Sequence, residues 1–152
     1  MRPPEQVAEE LRRQGLRVTA PRMAVCRFLH SNQDHPTAEA IWQVLRVEHP
    51  GLSLSTVYKT LEALAAMGEI HAIRNAGDGR LHFDPHTGPH HHAVCRACGR
   101  IQDVAPTLVV QLGQRLAKDQ TQTDLEGFVV DGHQIVYTGR CGDCAPLADP
   151  AS

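Results

Sequence analysis

The chain has 152 residues, of which 41% are hydrophobic, and its formal net charge at pH 7 is −2. This length can form one domain or two small ones. The chain contains neither an apolar run long enough to cross a membrane nor a secretory signal pattern, so we expect a cytoplasmic protein without a membrane partner. The charge is unevenly distributed, because arginines are concentrated near the N-terminus and the rest of the chain is acidic.

Four amphipathic helices are predicted first, because apolar residues recur at helical spacing. The first runs from Pro4 to about Gly15, and the fourth ends at Gly68, a residue type that commonly ends helices. The other helices follow N-cap candidates, which are Thr19, Thr37 and either Ser53 or Ser55. Two strands, 70–74 and 80–83, flank a glycine-containing turn and predict a hairpin. Helices followed by a hairpin are the order of a winged helix-turn-helix.

A short segment rich in proline and glycine, residues 84–90, is predicted to be a hinge. Beyond it, the pattern predicts a small α/β domain with edge strands that can pair across a homodimer. Its predicted elements are strands at 91–95 and 101–104, a helix at 108–116, and a hairpin formed by 128–131 and 134–138. The predicted organisation is a DNA-binding domain at 1–83, the hinge, a dimerisation and metal-binding domain at 91–144, and a disordered tail at 145–152.

Two CxxC pairs are the strongest chemical signal in the chain. Cys95 and Cys98 form the first pair, and Cys141 and Cys144 form the second. Each pair brings two thiolates toward one point, and four sulfurs complete a tetrahedral Zn²⁺ shell. Because no coordination position remains open for a substrate, the spacing predicts a structural Zn²⁺ site.

A redox dithiol and a disulfide framework are the alternatives for these cysteines. A thioredoxin-like dithiol needs a CxxC at a strand-to-helix junction, and neither pair has that context. The fifth cysteine, Cys26, lies in an apolar helical stretch, which favours a buried core thiol. Reduced cysteines that are available to bind a metal are typical of proteins in the reducing cytoplasm.

The fourth predicted helix has the features of a DNA recognition helix. Its apolar residues face inward and leave four side chains outward near the N-terminal end, namely Ser55, Thr56, Tyr58 and Lys59. The Tyr58 ring can contact a thymine methyl group, and Lys59 can bind guanine or phosphate. Arg17 can reach a neighbouring minor groove. An ordinary solvated helix face is the alternative, and the order of helices and hairpin favours DNA binding.

A second metal site can be assembled from histidines and aspartates. In an extended segment, His90 and His92 project to one face and His91 to the other. Three histidines with two aspartates give a mixed nitrogen and oxygen shell, which suits Mn²⁺ or Fe²⁺. The candidate ligands are His35, Asp84, His90, His92 and Asp103. The alternative for each histidine is a surface residue in a histidine-rich stretch.

These motifs, in this order, resemble those of the ferric uptake regulator family. The segments that carry the resemblance are 15–22, 35–38, 55–61, 90–99 and 141–144. The resemblance implies an α+β protein with an N-terminal winged helix-turn-helix and a C-terminal small α/β dimerisation domain. It also implies a homodimeric, metal-dependent repressor of double-stranded operator DNA, with Zn²⁺ at the four cysteines. Arg17, Tyr58 and Lys59 match the family's DNA-contacting positions, and the five His/Asp candidates match its regulatory metal ligands.

Aspartate at both position 84 and position 103 resembles the peroxide-sensing branch and some manganese-responsive members, whereas iron-sensing members often have Glu there. In the peroxide sensors, bound Fe²⁺ reacts with peroxide and oxidises a ligating histidine, which the resemblance matches to His35 and His90. The family's auxiliary metal site would use His91 and His133 here, although Pro89 replaces a first histidine.

Three other functions remain as alternatives. Zinc-sensing members commonly have a cysteine at the position of Asp84, but the triple histidine keeps a zinc-uptake regulator open. A metalloenzyme and a metal-storage protein belong to different classes, and neither explains the winged-helix order. No nucleophile motif indicates catalysis, so we expect no enzymatic activity and no small-molecule substrate.

Overall fold

The computed structural model describes residues 1–32, 34–74, 78–105 and 135–145. The chain divides into two compact units, Met1–Gly88 and Pro89–Ser152, which are called the N-terminal and C-terminal units below. The division falls inside the segment that the sequence predicts as a hinge, and the bounds of the functional domains stay a prediction. None of the described helices is long and apolar enough to cross a membrane.

The N-terminal unit contains the four predicted helices. They are α1 (Pro4–Arg13), α2 (Ala20–Ser31), α3 (Ala38–Leu45) and α4 (Leu54–Ala66). Each of the last three begins where a side-chain oxygen accepts a backbone N–H of the first turn, at Thr19, Thr37 and Ser53. For α4, the Ser53 hydroxyl accepts the Thr56 N–H at 3.1 Å, so Ser53 rather than Ser55 is the cap.

One apolar face of each helix lies in a common core. Val7, Leu11, Leu29, Ile41 and Leu61 are completely buried there. Removing these faces from water is the main favourable term in folding of the unit. The core therefore fixes the helix on which the predicted DNA-contacting side chains lie.

Gly68 ends α4 as predicted, because it adopts a left-handed φ of +69°. The N–H of Gly68 donates to the Ala65 carbonyl at 3.0 Å, and the N–H of Glu69 donates to the Leu64 carbonyl at 2.9 Å. These two bonds satisfy carbonyls that the helix end leaves open.

Replacing Gly68 with Ala is expected to lower the free energy of unfolding by about 1 kcal/mol, because an L side chain is strained at this φ. Gly51→Ala is the matched control, since an added Cβ meets nothing within 4 Å at either glycine and only Gly68 has a positive φ. Trp42 is the chain's single tryptophan and packs against this core, so urea unfolding followed by its fluorescence measures the effect. Equal destabilisation by both substitutions would contradict this explanation.

The predicted hairpin is present but its strands are short. β1 (His71–Ile73) pairs antiparallel with β2 (His82–Asp84), and His71 lies opposite Asp84. Asp84 therefore ends a strand instead of beginning the hinge, because it is held in the ladder opposite His71. Only three residues of each strand are paired, because the chain bends between α4 and β1 and turns between β1 and β2. Of the turn, residues 75–77 lie outside the described residues.

The described residues of the C-terminal unit form a three-stranded sheet in the order β4-β3-β5. β3 (His91–Cys95) pairs antiparallel with β4 (Ile101–Val104) and parallel with β5 (Val136–Gly139). β5 begins two residues later than predicted, since its register is set by pairing with β3. The predicted helix 108–116, strand 128–131, His133 and the tail from residue 146 lie outside the described residues.

Candidate metal centres and DNA-facing helix

The four CxxC cysteines meet at one end of the C-terminal sheet. Cys95 ends β3, and the turn that follows carries Cys98. Cys141 follows β5, and a turn closed by the Cys144 N–H to the Cys141 carbonyl, at 2.9 Å, carries Cys144. The parallel pairing of β3 and β5 therefore brings the two knuckles together, although they are far apart in sequence.

The sulfur geometry fits a tetrahedral metal shell. All four Sγ atoms lie within 4.8 Å of one another, and those of Cys98 and Cys141 are 3.7 Å apart. With Zn–S bonds of about 2.3 Å, a regular tetrahedron separates its sulfurs by about 3.8 Å. A disulfide needs about 2.05 Å, and none of the five cysteines forms one. The arrangement therefore agrees with a metal-binding cluster of thiolates.

Hydrogen bonds in this cluster favour thiolate at one of its members. The Cys141 N–H donates to Cys95 Sγ at 3.2 Å, and this bond is the main reason that the pKa of Cys95 is lowered to about 6. Hydrogen bonding with Cys141 and Cys98 instead raises the pKa of Cys144 to about 12. A divalent cation would displace the protons that the sulfurs share, since metal-bound cysteine is deprotonated.

Cys26 is separate from this cluster. It is completely buried in the core of the N-terminal unit, and burial raises the pKa of its thiol to about 11. A protonated thiol among apolar side chains acts as a small hydrophobic group, which is what its place in the sequence predicts.

Three predicted regulatory ligands lie together in the C-terminal unit. His90 Nε2 and His92 Nε2 are 3.0 Å apart, and Asp103 Oδ1 lies 3.7 and 3.8 Å from them, respectively. Two ligands at right angles, each about 2.1 Å from an ion, are separated by about 3.0 Å. The imidazole spacing thus fits adjacent positions around one metal. The register that pairs His92 with Asp103 across β3 and β4 places the carboxylate beside the two rings.

The other two predicted ligands lie near each other in the N-terminal unit. His35 precedes α3 and Asp84 ends β2, and His35 Nε2 is 3.9 Å from Asp84 Oδ1. Both side chains are buried. The His86 N–H donates to the same Asp84 oxygen at 2.7 Å, which orients the carboxylate. Buried carboxylate and imidazole groups need partners to offset the cost of desolvation.

His91 has the opposite orientation within β3, as its position in an extended strand predicts. Its Nδ1 accepts a hydrogen bond from the Ile135 N–H at 3.2 Å, and the ring is buried. Since His133 lies outside the described residues, the auxiliary site stays a prediction.

The predicted DNA-contacting side chains are accessible on the N-terminal unit. Ser55, Tyr58 and Lys59 are exposed on the first two turns of α4, and Thr56 is partly exposed. Arg17 is exposed in the segment before α2, where its carbonyl accepts from Arg22 Nη1 at 2.6 Å. The N-terminal turns of α4 therefore present hydroxyl, phenol and ammonium groups to solvent.

Two contacts in this unit are not readable from sequence spacing. The Tyr58 hydroxyl donates to the Glu39 carboxylate on α3, which lowers the pKa of Glu39 and raises the pKa of Tyr58. His82 lies between Asp78 and the backbone carbonyl of His35. The acidic residue in the first turn of α3 is a sequence signal for the first contact, whereas the sequence carries no signal for the second.

Comparison with known proteins identifies the family of this chain. A model of the ferric uptake regulator family matches residues 13–138. The peroxide-responsive repressor PerR of Staphylococcus aureus is 33% identical over 140 residues, which cover 92% of this chain and 90% of that protein.

Solved structures share the fold. The ferric uptake regulator Fur of Helicobacter pylori has a TM-score of 0.74 at 22% identity, covering 95% of this chain and 93% of that one. A zinc-bound manganese uptake regulator has a TM-score of 0.69 at 23% identity, covering 92% and 99%. These likenesses confirm the predicted α+β class, with a winged helix-turn-helix followed by a small α/β domain.

Proposed function

Because this chain belongs to the ferric uptake regulator family, whose members are metal-dependent transcriptional regulators and not enzymes, we propose that it is a metal-responsive repressor. In this proposal it binds a palindromic DNA operator as a homodimer when Mn²⁺ or Fe²⁺ occupies its His/Asp site. The genes that it controls would serve metal uptake or the response to peroxide.

The observation that carries this proposal is the cluster of His90, His92 and Asp103. The two imidazole nitrogens have the spacing of adjacent ligands around one ion, and the Asp103 carboxylate lies 3.7 and 3.8 Å from them. Imidazole and carboxylate together suit Mn²⁺ and Fe²⁺, whereas the four thiolates suit Zn²⁺. We therefore assign Zn²⁺ to the cysteines as a structural metal and the redox-active or exchangeable ion to the His/Asp residues.

The proposed mechanism is thermodynamic linkage between metal and DNA. His35 and Asp84 belong to the N-terminal unit, and the other three ligands belong to the C-terminal unit. An ion bound by all five would hold the two units in one orientation and set the spacing of two recognition helices in a dimer. The metal and the operator would then raise each other's affinity by a coupling energy, typically about 1–3 kcal/mol.

Peroxide sensing is the narrower form of this proposal. It is supported by 33% identity to a peroxide-responsive repressor and by aspartate at positions 84 and 103. When Fe²⁺ is bound, peroxide would oxidise a ligating histidine, for which His35 and His90 are the candidates. Loss of that ligand would release the operator.

The first experiment measures operator affinity by fluorescence anisotropy. Protein that retains its tightly bound Zn²⁺ is titrated with Mn²⁺, anaerobic Fe²⁺ or additional Zn²⁺ on an AT-rich palindrome, and each complex then receives a peroxide pulse. Activation by Mn²⁺ and Fe²⁺, with peroxide releasing only the iron form, supports a peroxide sensor. Activation by Mn²⁺ that survives peroxide, with a weak iron response, indicates a manganese-uptake regulator.

A response to additional Zn²⁺ alone would instead favour the zinc-uptake alternative. No metal dependence on any palindrome would contradict the proposal and favour metal storage. The identity of the metal is thus read from the same titration that tests DNA binding.

Tyr58→Ala is expected to lower affinity for the operator by about 1–3 kcal/mol, because it removes a ring placed to contact a base edge. Affinity for unrelated DNA should change little, since phosphate contacts dominate that binding. Anisotropy with both DNAs at one salt concentration measures the difference.

Tyr58→Phe is the matched control. It keeps the ring and removes only the hydroxyl that donates to Glu39. If the alanine variant bound the operator as tightly as the wild type, α4 would not read the bases through Tyr58.

A further inference from the structure

His82 makes two polar contacts with both nitrogens of its ring. Its Nδ1–H donates to the backbone carbonyl of His35 at 2.7 Å, and its Nε2 is 3.0 Å from Asp78 Oδ2. The ring is almost buried, whereas Asp78 lies near the surface in the turn of the hairpin. The ring is therefore held between two hydrogen-bond acceptors, a backbone carbonyl and a carboxylate. Hydrogen bonds that involve charged groups are stronger than neutral ones.

Asp78 also shapes the turn in which it lies. Its other carboxylate oxygen accepts the Arg80 N–H at 2.9 Å, and Gly79 between them has a φ of +72°. An aspartate that bonds the backbone two residues onward is a common way to fix a turn. The same carboxylate thus holds residues 78–80 of the turn and contacts His82.

The backbone extends this connection to the segment before α3. His82 forms an isolated antiparallel bridge with Thr37, and the Phe83 N–H donates to the Pro36 carbonyl at 3.0 Å. Residues 35–37 are therefore attached to β2 by both backbone and side-chain bonds. A movement of Asp78 can therefore reach the His35 backbone through one buried side chain.

We propose that His82 is a positioning residue that couples the β1–β2 hairpin, the wing of the N-terminal unit, to the proposed regulatory metal ligand His35, through a relay from Asp78 to the His35 carbonyl. This inference rests on the proposed function. It adds that the hairpin and the metal ligand are linked within one unit. Metal binding would then favour one position of the hairpin, and a hairpin held on DNA would favour the position of the ligand. Partners that orient a metal ligand without touching the metal commonly matter to affinity.

The test uses Asp78→Ala and His82→Phe in the full chain. Asp78→Ala removes the contact with the turn, whereas His82→Phe removes both contacts and keeps a ring of similar size at a buried position. We expect the Mn²⁺ concentration that gives half-maximal operator binding to rise roughly 10-fold in each. The double variant should shift no further than His82→Phe alone, because residues of one relay are not additive.

Asp34→Ala is the matched control. Asp34 is an exposed acidic residue directly before His35, and its removal changes the local charge without touching His82. Its half-maximal Mn²⁺ concentration should stay at the wild-type value. The stability of each variant is measured by unfolding followed by Trp42 fluorescence. If His82 had a purely structural role, the variants would be less stable but would keep the wild-type half-maximal Mn²⁺ concentration.

The outcomes distinguish this inference from the proposal beneath it. If the wild type shows metal-dependent operator binding and both variants keep its Mn²⁺ midpoint, or if their shifts add in the double variant, the relay is wrong and the proposed function stands. If the wild type shows no metal dependence, the proposed function fails and the relay fails with it.

Discussion

Cys98→Ser is expected to remove the tightly bound Zn²⁺ and to prevent stable folding and dimerisation of the C-terminal unit. Cys98 is exposed and its sulfur lies 3.7 Å from that of Cys141, so the substitution deletes a proposed ligand without opening a cavity in a core. Binding energies of structural Zn²⁺ reach about 10–16 kcal/mol at pH 7, more than the stability of a typical domain. The metal-binding free energy lost with one of the four thiolates should therefore exceed the free energy of unfolding of the unit.

Zinc content by mass spectrometry and the oligomeric state by size-exclusion chromatography measure this effect. We expect about one Zn²⁺ per wild-type chain and almost none in the variant. Cys26→Ser is the matched control, because Cys26 lies in the other unit and outside the cluster. It should keep the zinc while destabilising the core around Trp42. A zinc-free Cys98→Ser protein that remained a folded dimer would rule out a structural role for the metal.

The features that sequence predicted well are those determined locally. Thr19 and Thr37 cap helices because a short oxygen-bearing side chain at that position reaches the N–H groups of the first turn. Gly68 ends α4 because its φ is unfavourable for other residues. Each CxxC pair is also local, and only the requirement for a closed metal shell joins the two.

The features that sequence did not predict depend on partners distant in the chain. The shortness of β1 and β2 and the parallel pairing of β3 with β5 are decided by register between segments, which spacing along one segment does not encode. His82 was missed for the same reason, because one of its partners is a backbone carbonyl 47 residues away. A histidine in an exposed strand and one in a buried relay have the same local pattern.

The His/Asp site was predicted in part from local sequence and in part from the family resemblance. Alternation in an extended strand predicted that His90 and His92 share a face, and their Nε2 atoms are 3.0 Å apart. The proximity of Asp103 requires the β3–β4 register, and that of His35 to Asp84 requires the folded N-terminal unit. The family resemblance predicted that both pairs of residues belong to one metal site. It could do so because the family's ligand positions reflect its three-dimensional fold, which periodicity along the sequence does not describe.

His35→Ala is expected to remove the metal dependence of operator binding while leaving the zinc content unchanged. In the wild type, Mn²⁺ should raise operator affinity about 5–150-fold, the usual range of an allosteric coupling. His35 is one of the two proposed ligands in the N-terminal unit, so without it the ion would be bound mainly by residues of the C-terminal unit. Such an ion binds either orientation of the units almost equally, and a ligand with equal affinity for two states shifts neither.

Anisotropy titrations of operator with and without saturating Mn²⁺ measure this coupling, and Mn²⁺ affinity in the absence of DNA is measured separately. His30→Ala is the matched control, since His30 is an exposed histidine near the end of α2 and should leave the coupling intact. The informative result is a variant that keeps its Zn²⁺, keeps the wild-type stability measured by Trp42 fluorescence and still binds some Mn²⁺, but gains no operator affinity from Mn²⁺. That combination would show that the ion acts by joining the units, whereas wild-type coupling in His35→Ala would mean that the C-terminal ligands alone transmit the signal.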